Sequence, residues 1–303
     1  MNHSIPEIRP LDVLELFLDS REERGCVPET IADYRLAIRN FLAAPFLPPN
    51  LADLTPLHLD MWCSQLRKAG KTNATRNWYQ QNVRVFLRWL YRKRLTAVNF
   101  ADEIEPVKVL SRNRPQVSSD DMAKVLQVAK GRLTKGGEPG EHHYRDIALL
   151  RLLWATGIRR GGIARLRYED VDMDLREVRL PAAASKTKRP QVVPFDSPTK
   201  SALLAYFIHE RGRDDGPLFL ARSGAALSPS AIHLVLRRLS AKAGVKVRCH
   251  GFRRGLVRRA RVAGFGLGEA AALVGHSSLE VTRLYSGDGE GEAMIAAYRK
   301  LLG

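Results

Sequence analysis

Four short segments of the sequence carry basic, imidazole and hydroxyl side chains that could do chemistry together. An arginine can clamp an anion through paired hydrogen bonds, a lysine or histidine can move a proton, and a tyrosine hydroxyl can attack as a nucleophile. The residues concerned are, in chain order, Arg159, Lys186, His250, Arg253, His276 and Tyr285. Each alone would more often be a surface or packing residue, so the weight of the pattern lies in its order and spacing.

The spacing within these segments is specific. They read Thr-Gly-Ile-Arg at 156–159, Ser-Lys-Thr-Lys at 185–188, His-Gly-Phe-Arg at 250–253 and Gly-His-Ser-Ser at 275–278. His250 comes three residues before Arg253, which places both on one helical turn if the segment is helical. Tyr285 follows His276 by nine residues.

The charge of the chain indicates an anionic polymer as partner. Its 303 residues include 49 Lys and Arg against 32 Asp and Glu, a formal net charge of +17. Residues 1–105 are nearly balanced, with 14 basic and 13 acidic residues, whereas residues 106–303 carry 35 against 19. Stretches 67–94 and 216–268 hold nine and eleven basic residues and no acid. Single-sign stretches of this length are typical of surfaces that face nucleic-acid phosphates.

Other features exclude several classes of protein. Cys26, Cys63 and Cys249 are far apart and form no Cys-x-x-Cys pair, so we expect reduced thiols and no metal. There is no phosphate-binding glycine loop, and no cofactor is expected. No segment approaches the ~18 uncharged apolar residues that a membrane span needs. The N-terminus lacks a signal peptide, so we expect a cytoplasmic protein without a membrane partner.

Hydrophobic spacing predicts a mainly α fold. The first 105 residues predict four helices: one ending near Gly25, one opened by Pro28, one from Pro56 to about Lys68 and a longer one from Asn73 to Arg94. Residues 106–118 have two prolines and no long apolar period, which is typical of a linker. The remainder, 119–303, is helical except for a predicted hairpin of strands 177–180 and 191–195, with Lys186, Lys188 and Arg189 at its tip.

The chain resembles the tyrosine recombinase family, which comprises phage integrases and Xer-type site-specific recombinases. That family's core is an arginine, a hairpin lysine, His-x-x-Arg, a further histidine and a tyrosine, in the order found here. The most specific string is Leu-Val-Gly-His-Ser-Ser-Leu-Glu-Val-Thr-Arg-Leu-Tyr at 273–285. The step of eight residues from Lys186 to Pro194 also matches the family's hairpin register.

The resemblance implies a fold and a domain plan. It implies a helical, SAM-like core-binding domain at 1–105, a linker at 106–118 and an α-rich catalytic domain with a small β-sheet at 119–303. Only the catalytic half matches closely. The partner would be a double-stranded DNA recombination site, held by a homo-tetramer or by a hetero-tetramer with a related recombinase. The helix expected at 292–302 could dock on a neighbouring subunit or pack on its own domain.

The resemblance also implies an activity, in which DNA strands are cut and rejoined through a 3′-phosphotyrosyl intermediate and a Holliday junction. Tyr285 would attack the phosphate, and Arg159 and Arg253 would clamp its non-bridging oxygens. Lys186 would protonate the leaving 5′-oxygen, with Lys188 as the less favoured substitute. His250 would accept the tyrosine proton, and His276 would hydrogen-bond the phosphate. Such chemistry needs neither metal nor nucleotide triphosphate.

Further basic residues are predicted to contact the DNA backbone rather than to react. Arg84, Arg88 and Arg92 repeat every four residues and would share one helix face, although a merely solvated face is the alternative. The full predicted set is Arg67, Lys68, Lys71, Arg76, Arg84, Arg88, Arg92, Lys188, Arg189 and Arg254.

Two positions depart from the family pattern. The family usually has an acidic residue three positions after its first arginine, where this chain has Gly162. The acidic support for Arg159 is therefore expected from Glu169 or Asp170. The family often has histidine after its second arginine, where this chain has Arg254.

Two other functions remain open from the sequence alone. A type IB topoisomerase-like nicking-closing enzyme would share the chemistry but would act without site preference. A DNA-binding regulator would share the fold and the charge but would form no covalent adduct.

Overall fold

The computed structural model describes residues 10–109, 115–131, 137–182 and 190–274. Its contacts divide the chain into two compact units, Met1–Arg112 and Asn113–Gly303. Residues 183–189 and 275–303, which include Lys186, Lys188, Arg189, His276 and Tyr285, lie outside the described part, as does the helix expected at 292–302.

The first unit is helical and packs around aromatic side chains. Its helices are α1 (Pro10–Glu22), α2 (Pro28–Leu42), α3 (Pro56–Lys68) and α4 (Asn73–Arg92). Proline stands at the first turn of α2 and of α3, where its missing N–H costs no hydrogen bond. The Phe17 ring meets Tyr34, Phe86 and Trp89 edge-on, with centroids 5.3, 5.3 and 5.5 Å away. This aromatic cluster holds three of the four helices together.

The end of the first unit is anchored on α4. Asn77 makes two hydrogen bonds to the Val107 backbone, donating to its carbonyl oxygen at 2.7 Å and accepting from its N–H at 2.8 Å. Asn73 donates to the Lys108 carbonyl oxygen at 3.0 Å. Residues 107–108 are thus fixed to the first turns of α4.

The second unit combines helices with one small antiparallel sheet. Its helices are α5 (Ser119–Lys130), α6 (His143–Thr156), α7 (Arg160–Arg165), α8 (Ser197–Tyr206), α9 (Pro229–Lys242), α10 (Cys249–Val262) and α11 (Leu267–Leu273). Its strands are β1 (Val171–Asp172), β2 (Glu177–Leu180) and β3 (Gln191–Pro194), in the order β1-β2-β3. The predicted mainly α fold with a small hairpin is therefore confirmed.

Helix α6 is the most buried element of this unit and packs against α5, α8 and α10. Its Asp146 is fully buried, and it pairs with Arg145 at 2.9 Å and with Arg238 of α9 at 2.7 Å. At its N-terminus the Glu210 carboxylate accepts hydrogen bonds from the Tyr144 and Arg145 N–H groups at 2.7 and 3.1 Å. These contacts fix the helix that ends three residues before Arg159.

Candidate active site

Gly157 ends α6 and turns the chain toward Arg159. It adopts φ 58° and ψ 19°, the left-handed conformation that favours glycine, and its N–H donates to the Leu153 carbonyl oxygen. A Cβ atom here would lie 3.2 Å from Arg253 Cα and 3.1 Å from Leu256 Cδ2. Only glycine therefore permits both this turn and the close approach of α10.

Arg253 is carried to the same place by α10. Its side chain is buried, with a relative exposure of 6% for the residue. Nη1 donates to the Gly157 carbonyl oxygen at 3.3 Å, whereas Nη2 is buried and has no hydrogen-bond partner among the described residues. A buried polar atom without a partner is unfavourable and rare in native proteins. The guanidinium is thus only half satisfied by the described residues.

Arg159 adds a second positive charge to this position. It is the residue before α7 and is partly buried, and burial lowers the pKa of its guanidinium. The pKa of Arg253 is lowered to about 9, first by burial and then by the charge of Arg159. No carboxylate among the described residues offsets either effect. The pair therefore forms a site that would be stabilised by a bound anion.

The cleft around the two arginines is built from several elements. It is lined by Thr156, Ile158, Arg159, Gly162, Leu180, Gln191, Val193, Arg253, Leu273 and Val274. Leu180 and Gln191 face each other in the ladder between β2 and β3. Two of the described ranges that line the cleft end close to it, one at residue 182 and the other at residue 274. Two of the sequence segments singled out for chemistry therefore continue from residues near this cleft.

His250 lies one helical turn before Arg253 on α10, where it is open to solvent on one side and covered by its neighbours on the other. The pKa of its imidazole is lowered by burial and then by the positive charges of Arg254, Arg253, Arg159 and Arg160. A lowered pKa keeps the ring neutral at pH 7. A neutral imidazole can accept a proton, which is the role expected of a general base.

The described residues contain neither a candidate metal cluster nor a candidate membrane span. Among residues 10–109, 115–131, 137–182 and 190–274, no three His, Cys, Asp or Glu side chains cluster in a way that could hold a metal ion. Within the same ranges, no helix combines the length and apolar character that a membrane span requires.

Comparison with known proteins decides the family. The model of the phage integrase family matches residues 116–290. The tyrosine recombinase XerC of Mycobacterium sp. (strain KMS) is 30% identical over 244 residues, which cover 78% of this chain and 79% of the relative. The chain belongs to the phage integrase family. It is therefore a site-specific recombinase of the tyrosine type, and neither the topoisomerase-like nor the regulatory alternative is favoured.

Solved structures support the same fold. A lambda integrase fragment, solved as a dimer bound to a COC′ core site, superposes with a TM-score of 0.72 at 17% identity, over 89% of this chain and 96% of that chain. A lambda integrase tetramer bound to a Holliday junction superposes with a TM-score of 0.71 at 17% identity, over 89% and 78% of the two chains.

One expectation about this recombinase is wrong. Glu169 and Asp170 do not support Arg159, because both carboxylates bind elsewhere. Glu169 pairs with the Arg167 guanidinium and accepts from the Gly216 N–H at 3.2 Å, and Asp170 accepts from the Arg167 N–H at 2.8 Å. Gly162 is buried and lines the cleft. The absence of an acid at that position is thus not compensated by these two residues, and the positive charge of the site stays unbalanced among the described residues.

The predicted DNA-contacting residues of the first unit fall into two groups. Arg67, Lys68, Lys71 and Arg92 are exposed, and Arg76 is partly buried beside Asn73. The Arg84 side chain instead donates to the Ala101 carbonyl oxygen at 2.9 Å and lies 3.7 Å from Asp102. Arg88 pairs with the same Asp102 at 3.2 Å. The shared face predicted from the spacing exists, but part of its charge is offset by one carboxylate.

Two basic residues near the site were not predicted from the sequence. Arg160 is exposed at the start of α7 and lies close enough to His250 to lower its pKa. The Arg-Arg pair at 159–160 was the available signal for it. Arg259 of α10 donates to the Trp154 carbonyl oxygen at 2.6 Å and covers the Trp154 ring at 3.5 Å. This contact joins α10 to α6 near the end that leads to Arg159.

Proposed function

We propose that this recombinase cuts and rejoins duplex DNA through a 3′-phosphotyrosyl intermediate, with Tyr285 as the nucleophile. The observation that carries the proposal is the buried Arg253, whose Nη2 has no partner among the described residues, beside the like-charged Arg159. A scissile phosphate supplies what this pair lacks, since its two non-bridging oxygens can accept paired, charge-assisted hydrogen bonds. Charge on these oxygens grows in the transition state, so the clamp would accelerate the reaction.

The remaining roles follow from the chemistry of strand exchange. His250, whose pKa is lowered by burial and then by its cationic neighbours, would accept the proton of the attacking hydroxyl. Lys186 would protonate the leaving 5′-oxygen, with Lys188 as the substitute, and His276 would hydrogen-bond the phosphate. The phosphotyrosyl ester conserves the energy of the cut bond, so neither a nucleotide triphosphate nor a metal would be required.

We further propose duplex DNA as the substrate and a tetramer as the active assembly. The related lambda integrase has been solved on a DNA core site and as a tetramer on a Holliday junction. Residues 1–105 would form the core-binding domain and 119–303 the catalytic domain, joined by 106–118. The three widely spaced cysteines, which are expected to be reduced, favour action on DNA in the cytoplasm.

Covalent capture tests this function directly. Incubation with fragmented host genomic DNA, with excess EDTA and without nucleotide, should yield protein covalently attached at a small number of sequences. Adducts are expected under these conditions because the proposed residues stabilise charge and transfer protons without a metal. Denaturation in detergent, filter capture and sequencing would read out the sites.

Three results would contradict the proposal. Adducts that vanish with EDTA and return with Mg²⁺ would indicate metal chemistry. Relaxation of supercoiled plasmid without any preferred sequence would favour a topoisomerase-like enzyme. DNA binding without any adduct would favour a regulator.

The basic face of α4 gives a second test, in which two arginines should behave differently. Arg92→Ala should leave the free energy of unfolding unchanged and reduce the slope of log K against log salt by about 0.9, as expected for one lost phosphate contact. Arg84→Ala should instead lower the free energy of unfolding by about 1 kcal/mol, because the Ala101 carbonyl loses its donor. Urea unfolding and DNA-binding titrations would measure both quantities, and an unchanged slope for Arg92→Ala would show that this face is merely solvated.

A further inference from the structure

The segment that enters the second unit is attached to the helix that carries the reactive residues. Residues 115–118 run along α10 before α5 begins. The Val117 N–H donates to the Gly251 carbonyl oxygen at 3.0 Å, and Val117 is buried, with a relative exposure of 2%. Gly251 and Gly255 are four residues apart and so share the face of α10 that meets this segment.

The two glycines allow an unusually close approach. A Cβ atom at Gly255 would lie 2.4 Å from the Val117 carbonyl oxygen, and one at Gly251 would lie 3.0 Å from Val117 Cγ2. The backbone of the entering segment therefore lies directly on the backbone of α10. This segment and the first turns of α10 must move together.

Arg254 completes the attachment. Its Nε and Nη2 both donate to the Pro115 carbonyl oxygen, at 3.2 and 2.7 Å. This geometry uses the planar guanidinium as a fork on a backbone acceptor. Arg254 directly follows Arg253 and lies one turn after His250, so the fork holds the part of α10 that bears both groups.

We propose that Arg254 is a positioning residue, which sets His250 and Arg253 by tying residues 115–118 to the first turns of α10. This proposal rests on the function proposed above and replaces a backbone contact to DNA as the role of Arg254. The entering segment would then act as a brace for the catalytic helix, and loosening it would slow the reaction without weakening the grip on DNA.

The electrostatic surroundings of His250 give a readout of the Arg254 charge that is separate from the effect of the brace. Burial is the largest cause of the lowered His250 pKa, and the charged groups that add to it are Arg254 and Arg253 of α10, Arg159 before α7 and Arg160 of α7, all of them positive. Removal of one of these charges makes protonation of the imidazole easier and raises its pKa. Because only the neutral ring can accept a proton, the acid limb of the rate profile should then move to higher pH.

The experiment compares Arg254→Gln and Arg254→Lys with the unaltered enzyme on a nicked duplex of a captured site. Arg254→Gln should form adduct roughly ten- to a hundredfold more slowly at saturating DNA, as expected when reacting groups are misplaced. Its Kd for DNA and the salt dependence of that Kd should stay unchanged, and its acid limb should shift to higher pH. Arg254→Lys keeps the charge and one donor, so it should recover most of the rate and the original acid limb.

Matched variants separate the brace from other effects. Arg258→Gln removes an exposed arginine one turn further along α10 and should leave the saturating rate and the pH profile unchanged. Gly255→Ala pushes against Val117 without a change in charge, so it should slow the reaction with no shift of the acid limb. Thermal melts would verify that each variant is folded.

The outcomes distinguish the possibilities. Adduct formation by the unaltered enzyme on the same duplex establishes the proposed function independently of the variants. A weaker Kd and a smaller salt slope for Arg254→Gln, with a normal saturating rate, would make Arg254 a DNA contact and overturn the inference. A normal rate and a normal Kd would overturn it as well. If Arg254→Gln does not fold, a normal saturating rate for Gly255→Ala decides against the brace.

Discussion

Tyr285→Phe is expected to bind the recombination site as tightly as the unaltered enzyme and to form no covalent adduct. The substitution removes one oxygen atom, which is the atom proposed to attack the phosphate, and leaves the ring in place. No other group in the proposed set can form a covalent ester with the phosphate. Arg159 and Arg253 are proposed to stabilise charge, and His250 and Lys186 to transfer protons. The expected effect is therefore a complete loss of adduct rather than a reduced rate.

A matched control lies in the same stretch of chain. Tyr298 is the other tyrosine after residue 275, and Tyr298→Phe should form adduct at the normal rate. Detergent-resistant protein–DNA complexes on a nicked duplex, measured beside the DNA-binding affinity, give both readouts. Adduct from Tyr285→Phe together with its loss from Tyr298→Phe would mean that the nucleophile has been assigned to the wrong tyrosine.

Arg253→Gln and Lys186→Ala are expected to fail for different reasons, which a modified substrate can separate. Arg253→Gln should slow cleavage by about 10²–10³-fold, the usual cost of removing one transition-state donor. The same loss should be seen on DNA with sulfur in place of the bridging 5′-oxygen, because the non-bridging charge still needs the clamp. Lys186→Ala should be slow on ordinary DNA and nearly normal on the sulfur-bridged substrate, since a thiolate leaves without a proton.

Two controls accompany this comparison. Lys188→Ala should show a mild defect on both substrates, as a backbone contact would, and its selective rescue by sulfur would move the general acid to Lys188. Thermal melting of Arg253→Gln should show no large loss of stability, because the guanidinium is a buried charge that the described residues only half hydrogen-bond and that lies beside Arg159. A rate loss that sulfur rescues in Arg253→Gln would contradict the clamp.

Local signals in the sequence predicted the elements well. Proline at the starts of α2 and α3 and the short strand-forming runs at 177–180 and 191–195 depend only on near neighbours, and the structure has these elements within a few residues of the predicted bounds. The Thr-Gly-Ile-Arg segment likewise has a local reason, because Gly157 takes a left-handed conformation at the end of α6. Sequence patterns that span only a few residues reflect the local conformational preferences of the backbone.

The partners of charged side chains could not be predicted in the same way. The four-residue spacing put Arg84 and Arg88 on one face, but nothing in that spacing revealed that Asp102 would meet both. Glu169 was expected near Arg159 and instead binds Arg167, two residues away along the chain. Arg254 contacts the carbonyl of Pro115, which is 139 residues away in sequence. Ion pairs depend on tertiary packing, which periodicity does not encode.

The hydrogen bond between Arg253 and the Gly157 carbonyl also bears on the order in which parts of the enzyme fold. It joins positions 96 residues apart, whereas α6 and α10 are each held by bonds between near neighbours. Contacts across such separations carry a larger loop-closure cost and tend to form after local helices. A newly made chain could thus contain both helices while lacking the paired arginines.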